Sequence, residues 1–396
     1  MNASDHLDAA PLFDPAVLAL PLLEERHRRL AESLQGWVRD SRDEVRRIAG
    51  LAPEAAARGF VALLARDGWL AAAIPAEPGA PWDLRAVCLC RHAFAWLEDL
   101  LDFSFSIQAL SAFAIGLGGH AHAGAVRALR EGRVIGAFAL TEPSVGSDLA
   151  RIATTARAEG DRFQIDGEKA WIAHAGVADL YCVLARTGVP GPLGLSLVVV
   201  DARAASGLAT EPVALVAPRA IGHLRLSGCE TPRAALVGEE GLGLMLAGET
   251  LDAFRLTVAA AASGFARRAL QVALGHARER IVKAGPLART QLGATRLARM
   301  ACAGNGVTLV ALQAAWEADS GQPSAAVRSC MAKVVGTEAA QTIVDDALQL
   351  CGAAGCALGS ETERLYREIR ALRIYEGTTE IQLLAIGDAL ADGVLT

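Results

Sequence analysis

Apolar residues are spaced differently in three successive regions of the 396-residue chain. Up to about residue 130 they recur every three or four positions, which predicts amphipathic helices over 22–47, 55–70 and 84–117. The segment 75–81, rich in proline and small residues, interrupts this pattern and is predicted to be a loop. We therefore predict an N-terminal helical domain over residues 1–132.

The pattern changes after residue 133. Short apolar or alternating runs appear there, separated by turns of glycine, proline and aspartate, and such runs are typical of strands. The predicted strands are 135–140, 163–165, 180–185, 195–200 and 220–226. Together they predict a middle β domain over residues 133–240, built as a small antiparallel sandwich or barrel.

Long helical patterns return in the last third of the chain, over 244–280 and 325–350. Alanine and glycine at contact positions, as in 259–264, suit closely packed helices. We predict a C-terminal four-helix-bundle domain over residues 241–396. The order of helical, β and helical regions gives the α+β fold class.

Composition narrows the class of protein. Hydrophobic residues make up 52% of the chain, but the excess is mostly alanine, and no stretch approaches the roughly 20 uninterrupted apolar residues of a membrane-spanning helix. The N-terminus lacks the basic and then apolar pattern of a secretion signal. We therefore expect a cytoplasmic protein without a membrane partner.

Charge and cysteine usage exclude two further classes. The formal net charge of −6 argues against nucleic acid as a partner, because phosphate binding requires a basic surface. The eight cysteines form no paired C-x-x-C set, so we expect buried free thiols and no metal site. Nearly all basic residues are arginines; the lysines are Lys169, Lys283 and Lys333.

The segment 373–382, which reads RIYEGTTEIQ, is the strongest candidate for chemistry. It sets Glu376 between an aromatic residue and a glycine. A carboxylate in an apolar pocket has a raised pKa and can act as a base on a weakly acidic carbon. Alternatively, Glu376 is a solvated residue at a helix start, since Thr378 and Thr379 are good N-cap residues. These ten residues alone support both interpretations equally.

Two segments of the middle region offer binding chemistry. The loop 139–148 contains glycine and hydroxyl residues that suit a ring with several acceptors or a phosphate, or it is an ordinary β-turn. The strand 169–174 carries Trp171, which either walls a flat cofactor ring or, more commonly, lies in the core. His174 is a candidate base, although a structural role is favoured.

Two segments of the C-terminal region could contact an anionic ligand. Arg280 and Gln291, near the junction of two helices, either pair with a diphosphate or face solvent. The segment 349–355 ends a helix with small residues, which either let a ligand approach the backbone or form only a glycine C-cap.

In this order and at these separations, the segments resemble the acyl-CoA dehydrogenases. The resemblance rests on a Thr-Glu-Pro loop that closes in Gly-Ser-Asp (141–148), a Gly-x-Lys-x-Trp-Ile strand (167–172) and a Gly-Glu-Glu-Gly turn (238–241). It also includes 349–355 and the Tyr-Glu-Gly-Thr segment 375–378. It covers residues 68–388, nearly the whole chain.

The resemblance implies an FAD-dependent enzyme that dehydrogenates an acyl thioester, carried on CoA or on an acyl carrier protein, to the 2-enoyl thioester. Glu376 matches the base that removes the α proton, while flavin N5 accepts the β hydride. The resemblance also implies a homodimer or homotetramer and an electron-transfer flavoprotein as the electron acceptor. The alternatives are a flavin oxidase or monooxygenase on the same fold, and a scaffold protein that lacks FAD.

Other residues match family positions that contact the cofactor or the substrate. The matched positions around the flavin ring are Leu140, Thr141, Gly146, Ser147 and Trp171. The positions that match contacts to the rest of FAD are Arg280, Gln291, Gln349, Gly352, Thr378 and Glu380. The positions that match the thioester pocket are Ser147, Asp252 and Arg255.

The chain departs from the family pattern at several positions. Ala173 stands where many relatives have a threonine whose hydroxyl lies near flavin N5. The family's Arg-x-x-Phe-Gly becomes Arg280 followed by Ile-Val-Lys-Ala, and the connection 114–132 is short. Such differences favour a specialised member that acts on an unusual or short acyl group, as in secondary metabolism.

Overall fold

The computed structural model describes residues 11–77, 79–283 and 285–394. The described helices, in chain order, are α1 Pro15–Leu18, α2 Glu25–Asp40, α3 Arg42–Ala49, α4 Pro53–Arg66, α5 Trp69–Ala73, α6 Leu84–Leu97, α7 Asp99–Gly116, α8 Ala123–Arg130, α9 Gly243–Glu279, α10 Gln291–Asp319, α11 Ala325–Cys351, α12 Glu361–Ile369 and α13 Thr379–Ala391. The strands are β1 Gly136–Ala139, β2 Thr155–Glu159, β3 Arg162–Ala173, β4 Leu180–Arg186, β5 Leu195–Asp201, β6 Leu208–Pro212, β7 Ile221–Pro232, β8 Leu236–Val237, β9 Ile281–Val282 and β10 Gly285–Pro286.

The predicted α+β order of helical, strand-rich and helical regions is confirmed. Two of the predicted N-terminal helices are each divided in the structure. Residues 22–47 form α2 and α3, which meet at Ser41, and residues 84–117 form α6 and α7, which meet at Glu98. Glu98 has an extended backbone, and its carboxylate accepts a hydrogen bond from Arg364 at 2.6 Å, so a distant contact holds this break.

The chain forms two compact units. Unit 1 takes the described residues of Met1–Glu44, Asp83–Asp102 and Asp252–Thr396, and unit 2 takes those of Val45–Trp82 and Phe103–Leu251. The boundaries of the three domains, 1–132, 133–240 and 241–396, stay a prediction.

The core of unit 1 is built from small side chains. Alanines of α9, among them Ala262 and Ala266, pack with apolar residues of α10, α11 and α12 in one buried cluster. A Cβ atom at Gly264 would lie 2.3 Å from the carbonyl oxygen of His92 on α6, so only glycine permits this approach of the two helices. The alanine and glycine content that the sequence shows at these positions therefore serves close packing.

Unit 2 contains an eight-stranded sheet with the order β6-β7-β3-β2-β4-β5-β8, and β1 pairs with β4 outside this path. The expected antiparallel arrangement is wrong in part, because β4 pairs in parallel with both β1 and β2. The sequence pattern missed β2, β6 and β8. The first two are mostly exposed and lack an apolar run, and β8 has only two residues.

Two expectations drawn from composition, on membrane-spanning segments and on cysteines, can be compared with the described residues. None of their helices combines the length and the apolar character needed to cross a lipid bilayer. All eight cysteines are free thiols, but Cys302 and Cys356 are exposed, so the expectation that the thiols are buried is wrong for these two.

Candidate active site

Glu376 lies in a short turn of unit 1, after the 3-10 helix Arg370–Arg373 and before α13. Its φ is +56°, a left-handed conformation that is strained for a residue with a Cβ atom. Such strain is of order 1–3 kcal/mol and persists only where surrounding contacts hold the backbone in place. The turn of Glu376 is therefore a candidate functional segment.

Side chains from three helices hold the carbonyl groups of this turn. Arg255 Nε on α9 donates to the carbonyl oxygen of Glu376 at 3.4 Å, and Gln382 Nε2 on α13 donates to the same oxygen at 3.2 Å. Lys333 Nζ on α11 donates to the carbonyl oxygens of both Tyr375 and Gly377. Three successive carbonyls are thus bound, which explains how the left-handed conformation is maintained.

The carboxylate of Glu376 is not bound in the same way. Its Oε2 atom is enclosed and has no hydrogen-bond partner among the described residues. Burial raises the pKa of this carboxyl group, although the positive charges of Arg91, Lys333 and Arg255 act in the opposite direction. A half-buried glutamate with a raised pKa and one enclosed, unused oxygen is the arrangement expected of a general base.

Arg91 and Asp102 form a buried ion pair that the sequence did not predict. Arg91 Nε and Nη2 donate to the two carboxylate oxygens of Asp102 at 2.9 and 2.8 Å, and Nη1 donates to Thr257 Oγ1 at 2.9 Å. The negative charge of Glu376 helps to raise the pKa of Arg91, so this cation also acts on the candidate base. The available signal was an arginine inside the apolar run that forms α6.

The structure brings the predicted substrate residues Asp252 and Arg255 together on α9. Arg255 Nη1 donates to Asp252 Oδ1 at 2.5 Å and lies 3.5 Å from Cys330 Sγ. The side chain of Asp252 is half-exposed, whereas that of Arg255 is mostly buried. Because Arg255 also reaches the carbonyl of Glu376, this pair belongs to the surroundings of the candidate base.

The predicted cofactor residues of unit 1 lie at the ends of its helices. The exposed members are Arg280 directly after α9, Gln291 at the start of α10, Gln349 in the last turn of α11, Gly352 directly after α11 and Glu380 in the first turn of α13. Thr378 is the N-cap residue of α13, and its side chain hydrogen-bonds to Glu380 and helps to lower the pKa of that carboxyl group. The helix-start interpretation therefore describes Thr378 and Glu380, but not Glu376.

In unit 2, the loop that follows β1 is held by a buried ion pair. Lys169 Nζ donates to Glu142 Oε1 at 3.0 Å and to the carbonyl oxygen of Leu140 at 2.9 Å. Glu142 also accepts hydrogen bonds from the backbone N–H groups of Ala153 and Thr154, both at 2.8 Å. These contacts fix a loop whose predicted ligand residues are the buried Leu140, the half-buried Thr141 and the exposed Gly146 and Ser147.

Trp171 lies in an irregularity of β3, next in the chain to Ala170, whose N–H donates to the Thr141 carbonyl at 2.9 Å. The pairing of β3 with β7 shifts register here, and Trp171 has a φ of +61°. Bulges of this kind redirect side chains, and the indole is 56% exposed, contrary to the core position favoured from sequence. An exposed indole beside a fixed, glycine-containing loop fits the face of a flat heteroaromatic ring such as a flavin.

His174, by contrast, is fully buried. Its Nδ1 atom lies 3.0 Å from the carbonyl oxygen of Gly136, and its ring meets Phe103 edge to face with 5.6 Å between ring centroids. Burial lowers its pKa to about 4, which makes it a neutral imidazole at physiological pH. The structural role favoured from sequence agrees with this position.

Comparisons with known proteins agree with these features. Residues 137–229 match the family model for the acyl-CoA dehydrogenase middle domain, and residues 241–391 match the model for the acyl-CoA dehydrogenase C-terminal domain. The 3-(aryl)acrylate reductase of Clostridium sporogenes is 36% identical over 265 residues, which cover 64% of this chain and 68% of that protein. The human mitochondrial short-chain specific acyl-CoA dehydrogenase is 36% identical over 65% of this chain and 63% of its own length.

The alignment with the human short-chain specific acyl-CoA dehydrogenase spans a little less than two thirds of that protein's length. At the level of structure the likeness is more extensive. Butyryl-CoA dehydrogenase of Megasphaera elsdenii superimposes with a TM-score of 0.85 and 25% identity, over 93% of this chain and 99% of that one. The chain belongs to the acyl-CoA dehydrogenase family, whose members are FAD-dependent flavoprotein oxidoreductases.

Proposed function

We propose that this protein removes the α and β hydrogens of an acyl thioester and releases the 2-enoyl thioester, with Glu376 as the base. The observation that carries the proposal is that the Oε2 atom of Glu376 is enclosed and has no hydrogen-bond partner among the described residues. The pKa of this carboxyl group is raised. A surface carboxylate would be a weaker base for a carbon acid.

Removal of the α proton requires both a base and stabilisation of the developing enolate. Glu376 accepts the proton at its carboxylate, where burial favours the neutral, protonated form. The bonds made by Arg255 and Gln382 to the carbonyl of Glu376 hold the backbone of this residue in place. The backbone N–H of Glu376 is proposed to donate to the thioester oxygen as enolate charge develops. Glu376 thus has both the strained backbone conformation and the carboxyl group that is proposed to accept the proton.

The cofactor that we propose is FAD, which supplies the acceptor for the β hydride. In unit 2 the ring would be held by Trp171, Thr141, Ser147, Leu140 and Gly146. In unit 1 the rest of the cofactor would be held by the residues at the helix ends, which are Arg280, Gln291, Gln349, Gly352, Thr378 and Glu380. The exposed indole of Trp171 is the observation that supports this assignment.

The substrate that we propose is the thioester of a short or unusual acyl group. The residues that the resemblance assigns to it are Ser147, Asp252 and Arg255. The thioester is carried on CoA or on an acyl carrier protein, and the enzyme acts in the cytoplasm, in a secondary-metabolite pathway. The oligomer is proposed to be a homodimer or homotetramer that passes its electrons to an electron-transfer flavoprotein. The departures at Ala173 and after Arg280 support a specialised member.

Anaerobic titration of the purified, flavin-loaded protein tests the proposal. Short-chain acyl-CoA and acyl-carrier-protein thioesters are added in turn, and the visible absorbance of the flavin is recorded. Bleaching by at least one thioester, with formation of the 2-enoyl product, is the expected result. A coloured protein that no thioester bleaches contradicts the proposal, and a colourless protein that does not take up FAD supports the scaffold alternative.

Replacing Trp171 tests the proposed ring contact separately. Trp171→Ala is expected to lower the FAD content of the purified protein, because it removes the exposed aromatic face that is proposed to contact the ring. Within the chain, the substitution removes an edge-to-face contact with His223. Trp171→Phe, which keeps an aromatic face, is the control and should retain most of the cofactor. Unchanged FAD content in the alanine variant would exclude Trp171 from the ring site.

A further inference from the structure

We propose that Lys333 is a positioning residue, which fixes the turn 375–377 and supplies the counter-charge of Glu376. Its own hydrogen bonds go to backbone carbonyls, and the Oε2 atom of Glu376 has no partner among the described residues. The inference rests on the proposed function of Glu376 as a base. It concerns a lysine that no sequence motif singled out.

Lys333 binds the backbone on both sides of Glu376. Its side chain is buried on α11, and its ammonium group donates to the carbonyl oxygens of Tyr375 and Gly377, on the two sides of Glu376. The Nζ atom also lies 6.0 Å from the centroid of the Tyr375 ring. One cation that binds the carbonyls of residues 375 and 377 restricts the backbone of residue 376, which has the left-handed conformation.

The charges around Glu376 can be assigned to pairs. Three cations lower its pKa, and two of them have carboxylate partners of their own: Arg91 binds Asp102, and Arg255 binds Asp252. Lys333 donates to backbone carbonyls and to no carboxylate among the described residues. Glu376 and Lys333 are therefore the remaining opposite charges of this cluster.

Packing alone does not account for a lysine at this position. Burial of an ammonium group is unfavourable, and it lowers the pKa of Lys333 to about 8. An apolar side chain of similar length would avoid this cost if α11 needed only to pack against the turn. The position therefore requires a polar donor for the two carbonyls, and the charge of this donor also acts on Glu376.

The choice of lysine in an arginine-rich chain supports the same conclusion. Lys333 and Lys169 are both buried, and each donates to backbone carbonyls beside one of the two candidate site segments. A compact ammonium group can direct its donors at two converging carbonyls, whereas the planar guanidinium group of arginine has a fixed fork geometry. Replacement of Lys333 by arginine would therefore keep the charge and change the geometry of the donors.

Two substitutions separate the charge from the geometry. Lys333→Met removes both, so flavin reduction is expected to slow by about tenfold to a hundredfold, the size of effect that a misplaced catalytic group produces. The acid limb of the pH profile of kcat/KM should also move to higher pH, because Glu376 loses a cation that lowers its pKa. Lys333→Arg keeps the charge, so its acid limb should stay in place while its rate falls.

An infrared titration gives a measurement that does not depend on the substrate. The carbonyl band of protonated Glu376 is identified as the band absent from Glu376→Gln, and its pH midpoint is measured in each variant. The midpoint should rise in Lys333→Met and stay near the wild-type value in Lys333→Arg. Lys169→Met, the matched loss of another buried lysine, should not move it.

Three results would overturn the proposal: an unchanged midpoint in Lys333→Met, an equal rise in both Lys333 variants, or wild-type flavin reduction by Lys333→Met. If Lys333→Met does not fold, Lys333→Arg decides alone, because a raised midpoint or an unchanged rate in that variant contradicts the proposal. The infrared midpoint can be measured even if no thioester reduces the flavin, so failure of the proposed reaction is distinguishable from failure of this inference.

Discussion

Two partly buried glutamates of unit 1 differ in how their carboxylates are bound. Glu361, at the start of α12, accepts hydrogen bonds from Arg268 at 2.8 Å and from Arg364 at 2.9 Å. Burial alone would raise its pKa, but the two arginines outweigh burial and lower the pKa to about 2. Glu376 also has cations nearby, yet its Oε2 atom has no hydrogen-bond partner in the part of the chain that the structure describes, and its pKa is raised.

The comparison shows that hydrogen bonding, rather than the presence of positive charge, separates the two roles. Around Glu361 the arginines direct their donors at the carboxylate itself. Around Glu376 the donors of Arg255 and Lys333 go to Asp252 and to backbone carbonyls. A carboxylate that accepts hydrogen bonds from two arginines, as Glu361 does at its Oε1 atom, stabilises the fold. A carboxylate to which the nearby cations do not donate, as at Glu376, remains available to accept a proton.

The largest effect is expected when the available carboxylate is removed. Glu376→Gln should keep the fold and the FAD content, while flavin reduction by an acyl thioester falls by roughly 10²–10⁴-fold, because an amide cannot accept the proton. Stopped-flow absorbance measures the rate. Reduction at the wild-type rate would remove Glu376 from the role of base.

Glu361→Gln should have the opposite consequence. It removes the charge that pairs with Arg268 and Arg364, so the free energy of unfolding should fall by about 1–3 kcal/mol, measured by urea denaturation. The rate of flavin reduction per folded molecule should not change. Asp40→Asn, which alters an exposed pair with Arg39, is the control and should leave the urea midpoint in place.

The pH dependence of the free energy of unfolding should also distinguish the two glutamates, with a smaller effect than that of the glutamine substitutions. Glu361 has a lowered pKa, so its contribution is present above the usual glutamate pKa of 4.5 and is lost as pH falls toward about 2. Glu376 has a raised pKa, so its contribution is present below the usual value and is lost as pH rises through the folded-state pKa.

Urea midpoints of wild type and of the two glutamine variants between about pH 2.5 and 8 measure this difference. The amount by which Glu361→Gln is less stable than wild type should shrink at the acid end of this range. The stability of Glu376→Gln relative to wild type should increase as the pH rises. Parallel curves for wild type and Glu376→Gln would contradict a raised pKa at Glu376.

Many of the helices and strands could be predicted because they depend on neighbouring residues. The spacing of apolar residues in 244–280 and 325–350 agrees closely with α9 and α11. The exposed strands β2 and β6 lack an apolar run and were missed, and the break at Glu98 depends on Arg364, far along the chain. Local periodicity carries no signal for such contacts.

The sequence by itself determined the family resemblance and the position of the candidate base, because short motifs keep their residue types and order. Only the tertiary structure decided which cations bind a carboxylate and which bind the backbone. It also decided that Trp171 is exposed and that Lys333 binds the carbonyl groups on both sides of Glu376. The physical reason is that a pKa depends on burial and on donors contributed by residues distant in the chain. Packing alone brings those groups within hydrogen-bonding distance.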